Sequence, residues 1–393
     1  MKSLNFFKFF SLVSPLVFFS LNAYAGLASQ KQADGLWNFQ NSDNVLTYRR
    51  SVAAASQLAY KVTRSEYKNW TIAVETNYLD ALNDALKPSE DSARPKVWKK
   101  IEPFRFNVGA GIIKTFNSVL GESFWQERPS ESYGLIAYEF DDTQFPSGNN
   151  KVGRSVLIAY RGTDSLQSTL TDFKAWYTCT DHLDVLNNPE FQYIHDFFYE
   201  PCSNKVSNAL YKVGSRLPVL KSKEAPLVHS GFLESALSSQ DEIFSKTTSY
   251  LALSKKSRDD VSYIFTGHSL GAALSHIQMA IMLEKYYGAL PHPNSLSRFR
   301  LITFGSPRSF GEYAAITYET EKFGAVNLLR ARTKYIGRNT CDPVTELPIK
   351  WLIRYDHVGS EENVDVVDDG TLNVLAKYIG YELHGMAVYE SNI

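Results

Sequence analysis

The stretch that decides the fold is Val261-Ser262-Tyr263-Ile264-Phe265-Thr266-Gly267-His268-Ser269-Leu270-Gly271-Ala272-Ala273. Its first part, Val261 to Thr266, is a short apolar run of the kind found in parallel strands covered on both faces. Its last part opens a segment rich in Ala, Leu, Ile and Met, Gly271 to Tyr287, which reads as a helix ending at the C-cap glycine Gly288. Between them lies Gly267-His268-Ser269-Leu270-Gly271, a G-x-S-x-G sequence. The pattern alone is weak, since roughly 0.1 chance matches are expected in a chain of this length. The strand running in and the helix running out supply what a nucleophile elbow requires. Glycines let the turn be sharp, and the turn lifts the serine hydroxyl above the C-terminal edge of a sheet. There a helix N-terminus and the Leu270 N–H can stabilise an oxyanion. The bland alternative is a strand-to-helix turn without chemistry.

Outward from this stretch the same rhythm continues. Tyr133 to Phe140, Ser155 to Tyr160, Phe299 to Phe304 and Ala325 to Arg330 are further strand candidates. Strands alternating with helices predict βαβ units and an α/β fold with a mostly parallel central sheet flanked by helices. Residues 26 to about 125 read as mainly helical, with Leu46, Val52, Ala53, Leu58 and Ala59 at helical spacing. The stretch from about 178 to 228 breaks the rhythm and has few aliphatics, so it reads as an insertion and not as a domain with its own core.

A serine nucleophile needs a base, and on such a sheet the partners follow in the order Ser, Asp or Glu, His. Of the 8 histidines, only His357 and His384 follow Ser269 after a plausible acid. Asp342, in Cys341-Asp342-Pro343-Val344, is the best acid, because Pro343 ends regular structure and leaves Asp342 on a loop; a turn or cap residue is its ordinary use. Asp356, Asp365, Asp368 and Asp369 are weaker, most of them lying in an acidic, solvated-looking segment. His384 follows the helical pattern Leu372 to Tyr381 and is favoured over His357, which follows a possible strand, Trp351 to Tyr355. His268 reads as packing beside the elbow. Thr163, after Arg161-Gly162 at the end of a strand, can offer a second oxyanion donor; Arg161 is expected to tie that loop down through an ion pair. Beyond it, Leu166, Leu170, Phe173 and Tyr177 form one face of a short helix, which suits a mobile lid at a lipid–water interface or an ordinary core-packed helix.

Several of these segments together resemble the class 3, fungal-type lipase family. They are Ala159-Tyr160-Arg161-Gly162-Thr163, Val228-His229-Ser230-Gly231-Phe232, the elbow from Thr266 to Ala273, Thr303-Phe304-Gly305-Ser306-Pro307-Arg308 and Asp342-Pro343-Val344. The resemblance spans roughly residues 130 to 390. It implies an α/β-hydrolase fold, ester hydrolysis, no cofactor and no metal. It puts Ser269, Asp342 and His384 in the triad, makes Thr163 and Leu270 the oxyanion-hole residues, and suggests that the segment after Thr163 is the lid. His357-Val358-Gly359 and His229 to Phe232 look like non-catalytic family segments. Triacylglycerol lipase or carboxylesterase, phospholipase A1 or another esterase, and a catalytically silent binding protein are the competing readings. The region 178–228 is longer than the compact family pattern.

Composition fits this picture. A formal net charge of −1 gives no electrostatic case for a nucleic-acid partner. Lys2 and Lys8, the apolar run Phe9 to Leu21 and Ala23-Tyr24-Ala25 read as a signal peptide over residues 1–25, leaving 26–393 as the hydrolase domain. The expected product is secreted or periplasmic, with no transmembrane span in the mature chain. The 3 cysteines, Cys179, Cys202 and Cys341, then imply one disulfide and one free thiol, with three pairings open. Cys179, His182, His195 and Cys202 are close in sequence, but their spacing matches no standard zinc pattern.

Overall fold

The computed structural model describes residues 42–85, 98–108, 130–139, 155–162, 177–179, 227–287, 298–311, 315, 328–335, 341–346, 355–366, 381–386, 388 and 389. The chain divides into two units, 1–42 and 43–393. The first, with the expected signal peptide, lies outside the described residues apart from Ser42.

The elements run in chain order from three helices, α1 (Ser42–Lys61), α2 (Arg64–Lys68) and α3 (Ile72–Asp84). Strands β1 (Lys100–Val108), β2 (Ser130–Tyr138), β3 (Ser155–Tyr160), β4 (Tyr177–Cys179) and β5 (Leu227–His229) follow. Next come α4 (Ser230–Leu253), β6 (Ser262–His268), α5 (Leu270–Tyr287), β7 (Phe299–Phe304), β8 (Phe310–Gly311), β9 (Leu328–Tyr335), β10 (Tyr355–Asp356) and β11 (Ser360–Val366). Short 3₁₀ turns at Pro343–Glu346 and Tyr381–His384 carry two of the candidate site residues or their neighbours.

The main sheet has seven strands among the described residues, in the order β1-β2-β3-β6-β7-β9-β11. The first three pair antiparallel, and β3, β6, β7, β9 and β11 pair in parallel. Side chains alternate across the pleat. On β3, Val156, Ile158 and Tyr160 join the core beneath α4 and α5, whereas Leu157 and Ala159 join the core beneath α1 and α3. Both faces are covered, and every residue of β3 and β7 is buried. This is an α/β-hydrolase arrangement. A second, four-stranded sheet has the order β10-β8-β5-β4. In it Tyr177 pairs with His229, so the two ends of the long stretch between β4 and β5 lie side by side.

Several expectations need correction. Within 26–125, α1 to α3 are helical, but Lys100–Val108 is a strand. It is the outer strand, which tolerates Pro103, and it buries Ile101, Phe104 and Phe106 while Arg105 stays exposed. The strand expected at Ala325 to Arg330 is seen at Leu328–Tyr335, residues 325–327 being outside the described set. The acidic segment that looked merely solvated contains β11 at the other edge of the sheet, with Glu361 exposed and Glu362 half-buried on its opposite face. The strand expected at Trp351 to Tyr355 is described only as the two residues of β10. Most of 178–228, the lid candidates Leu166, Leu170 and Phe173, and the pattern 372–380 lie outside the described residues.

Candidate active site

The elbow forms where β6 meets α5. Ser269 has φ +56°, a left-handed conformation that a non-glycine residue adopts only when its surroundings impose it. Its N–H donates to the Phe304 carbonyl at 3.0 Å on the neighbouring strand, and Leu270 begins the helix. The glycines are there for contact. A Cβ on Gly267 would come within 2.3 Å of Gly271 backbone, and one on Gly271 within 2.4 Å of the Tyr160 carbonyl. Helix and strands thus approach backbone to backbone, and Ser275 Oγ locks the first turn by donating to the Thr266 carbonyl at 2.5 Å. Ser269 Oγ is buried and makes no hydrogen bond among the described residues.

Asp342 follows β9. Its N–H donates to the Thr333 carbonyl at 3.1 Å, which fixes the loop to the strand end. Its Oδ1 accepts the Val344 N–H at 2.9 Å, so it does cap the 3₁₀ turn that Pro343 opens. It also faces His384: Nδ1 lies 3.0 Å from Oδ1 and 2.9 Å from Oδ2. A carboxylate can only accept, so Nδ1 carries the proton and the Nε2 lone pair is the basic position of the ring. A third donor, which the sequence did not single out, is Tyr389, whose O–H reaches Oδ2 at 2.5 Å. Burial alone would raise the Asp342 pKa. The facing His384, with the hydrogen bonds from it and from Tyr389, outweighs burial and holds the carboxyl below its ordinary range.

His384 ends the Tyr381–His384 turn and is held at its backbone. The His268 Nε2 lies 2.5 Å from the His384 carbonyl, and the two rings meet tilted at 34° with centroids 4.5 Å apart. Ser269 is therefore chain-adjacent to the residue on which His384 rests. No hydrogen bond joins Ser269 Oγ to the His384 ring in this structure.

The other candidates fall elsewhere. His357 donates from Nε2 to the Thr345 carbonyl at 2.7 Å and so braces the acid loop; burial, then Arg330 and Arg308, hold its pKa well below the usual value. His229 caps α4, accepting the Phe232 N–H at 3.4 Å and stacking on the Phe232 ring. Asp365 lies on β11, and Asp368 and Asp369 are outside the described residues. Thr163 is outside them too. Just before it, Arg161 reaches the end of α1: its guanidinium donates to the Val62 carbonyl at 3.3 Å and lies 5.9 Å from the Tyr60 ring centre. Cys341 is a free thiol, which removes the two disulfide pairings that involve it; Cys202 is outside the described residues.

A family model described as Lipase (class 3) matches residues 157–350. No curated protein matches the chain. Among solved structures, the triacylglyceride lipase of Rhizomucor miehei aligns at 17% identity and a TM-score of 0.36, covering 58% of this chain and 61% of that one. The native lipase–propeptide complex of Rhizomucor miehei aligns at 18% identity and a TM-score of 0.36, covering 58% and 51%. The lipase of Rhizopus microsporus var. chinensis aligns at 20% identity and a TM-score of 0.36, covering 58% and 56%. The chain thus spans about half to three fifths of the length of these relatives. The family match begins inside β3, takes in the elbow and ends beyond the acid loop, and on that span, just under half of the chain, the sequence matches the class 3 lipase family.

Proposed function

We propose that the protein is an exported serine hydrolase that cleaves carboxylic ester bonds of lipids, with Ser269 as nucleophile, His384 as general base and Asp342 as its partner. The observation that carries this reading is the His384 Nδ1 contact to both oxygens of a fully buried Asp342, with His384 resting on His268, the chain neighbour of a serine on a strained elbow. In the first step the Ser269 hydroxyl attacks the ester carbonyl as His384 Nε2 takes its proton, and Asp342 stabilises the imidazolium. The oxyanion is received by backbone N–H groups at Leu270 and Thr163. Collapse expels the alcohol, which takes the proton from His384. Water, deprotonated by the same nitrogen, then attacks the acyl-enzyme and releases the acid. Every proton is returned, so the chain needs no cofactor for this chemistry.

The family supports a lipase-type substrate, an acylglycerol or related lipid ester. Among the described residues no helix is long and apolar enough to cross a membrane. The test is a hydrolysis panel of emulsified triglyceride, phospholipid and soluble short ester. Ser269→Ala is expected to lose turnover on every substrate and to resist labelling by an organophosphonate, while keeping the wild-type circular dichroism spectrum. Undiminished turnover in that variant ends the proposal. The panel decides between a triacylglycerol lipase and a phospholipase A1.

A further inference from the structure

His268 sits beside the nucleophile, but its chemistry is not that of a base. It is 4% exposed and both ring nitrogens are engaged: Nε2 with the His384 carbonyl at 2.5 Å, and Nδ1 with the Tyr60 hydroxyl at 2.7 Å. A carbonyl can only accept, so Nε2 carries the hydrogen. Burial, then the nearby His384, push the His268 pKa down to about 3, so the ring is neutral and Nδ1 is an acceptor. Tyr60 therefore donates, and the chain runs in one direction: Tyr60 O–H to His268 Nδ1, His268 Nε2–H to His384 C=O.

Tyr60 belongs to α1, before the matched residues 157–350. One turn earlier Ser56 Oγ lies 2.9 Å from Thr266 Oγ1. Ser56 and Tyr60 are four apart on a helix, and Thr266 and His268 two apart on a strand, so a single helix face reads a single strand face. The same helix end receives Arg161, which leads to the expected oxyanion loop. Burying so many polar groups beside the elbow is unfavourable unless each is paired, and an apolar contact would have served for packing alone.

We propose that Tyr60 and His268 are positioning residues for the general base, a relay from α1 that fixes the backbone bearing His384 and keeps its imidazole facing Asp342. The proposal rests on the triad reading above. The neutral His268 ring, 4.5 Å from that of His384, adds no like charge when His384 gains the serine proton. Flipping the His268 tautomer would set a lone pair against the His384 carbonyl, which only accepts, and the Tyr60 hydroxyl supports the native tautomer by donating to Nδ1.

The experiment uses the full chain, a soluble p-nitrophenyl ester and active-site titration with an organophosphonate. Tyr60→Phe is expected to lower kcat about tenfold, the effect of one lost hydrogen bond, with KM within about twofold of wild type and a melting temperature lowered by a few degrees but a cooperative transition kept. His268→Leu is expected to fall about 100-fold or more, and His268→Gln, whose amide can both accept and donate, to recover at least about tenfold of that loss. Wild-type kcat in folded Tyr60→Phe overturns the relay. If Tyr60→Phe does not fold, equal kcat in His268→Gln and His268→Leu overturns it. A wild-type protein that neither turns over esters nor is labelled at Ser269 instead removes the triad reading, which separates the two failures.

Discussion

At the scale of single residues the carboxylate of Asp342 is held from several sides. It is fully buried and accepts from His384, Tyr389 and the Val344 N–H. A buried charge is tolerable only with such company. Tyr389→Phe leaves one carboxylate oxygen short of a donor and the Thr333 N–H short of its acceptor at 3.3 Å. It is expected to cost about 2–3 kcal/mol of stability in urea unfolding, the range for hydrogen bonds to charged groups. Asp342→Asn keeps the shape but offers an amide to Nδ1. On the triad reading the ring adopts the wrong tautomer, and kcat is expected to fall by about 10⁴ while the fold persists. An Asn variant with more than a tenth of wild-type kcat would show that Asp342 plays no part in the base.

At the scale of elements the site is a matter of how closely β6 and α5 approach. Gly267→Ala or Gly271→Ala places a Cβ within 2.4 Å of backbone atoms that cannot rotate away. Either is expected to cost about 3 kcal/mol, read from the thermal midpoint, because helix and strand must part. These glycines were legible in the sequence, as were β3 and β7 to the residue and β6 and α5 to within two, since continuous apolar runs and the elbow pattern are local signals. What stayed hidden is non-local. β1 has Lys100, Pro103 and Arg105 in its course, and β11 is acidic; both lie at sheet edges, where one side is unpaired and polar side chains reach solvent. Asp342 and His384 could be ordered along the chain, but Tyr60 and Tyr389 could not be singled out, because nothing in their own neighbourhoods marks them. They matter through residues 208 and 47 positions away.

At the scale of the whole molecule, His229, His268 and His276 are each buried and held down to about 3, chiefly by desolvation, and His357 shifts the same way. In the unfolded chain each takes a proton near pH 6.5. Their folded values lie below that, so the stability they allow is complete above about pH 6.5 and is lost as pH falls towards about 3. Each contributes a slope of about 1.4 kcal/mol per pH unit within that window. The urea midpoint is expected to be flat from pH 7 to 8 and to fall steeply between pH 6 and 4, with uptake of several protons on unfolding. A midpoint unchanged down to pH 4 would show that these rings are not buried neutral.

The main sheet begins before the matched span does, and this sets the boundaries for expression. A gene trimmed to codons 157–350 would discard β1, β2 and α1, leaving the wholly buried β3 with a bare hydrogen-bonding edge and no cover on one face. Such an edge recruits any other strand it meets. The product to expect from that shortened gene is an inclusion body, and the remedy is to restore the upstream residues rather than to change the host or the temperature.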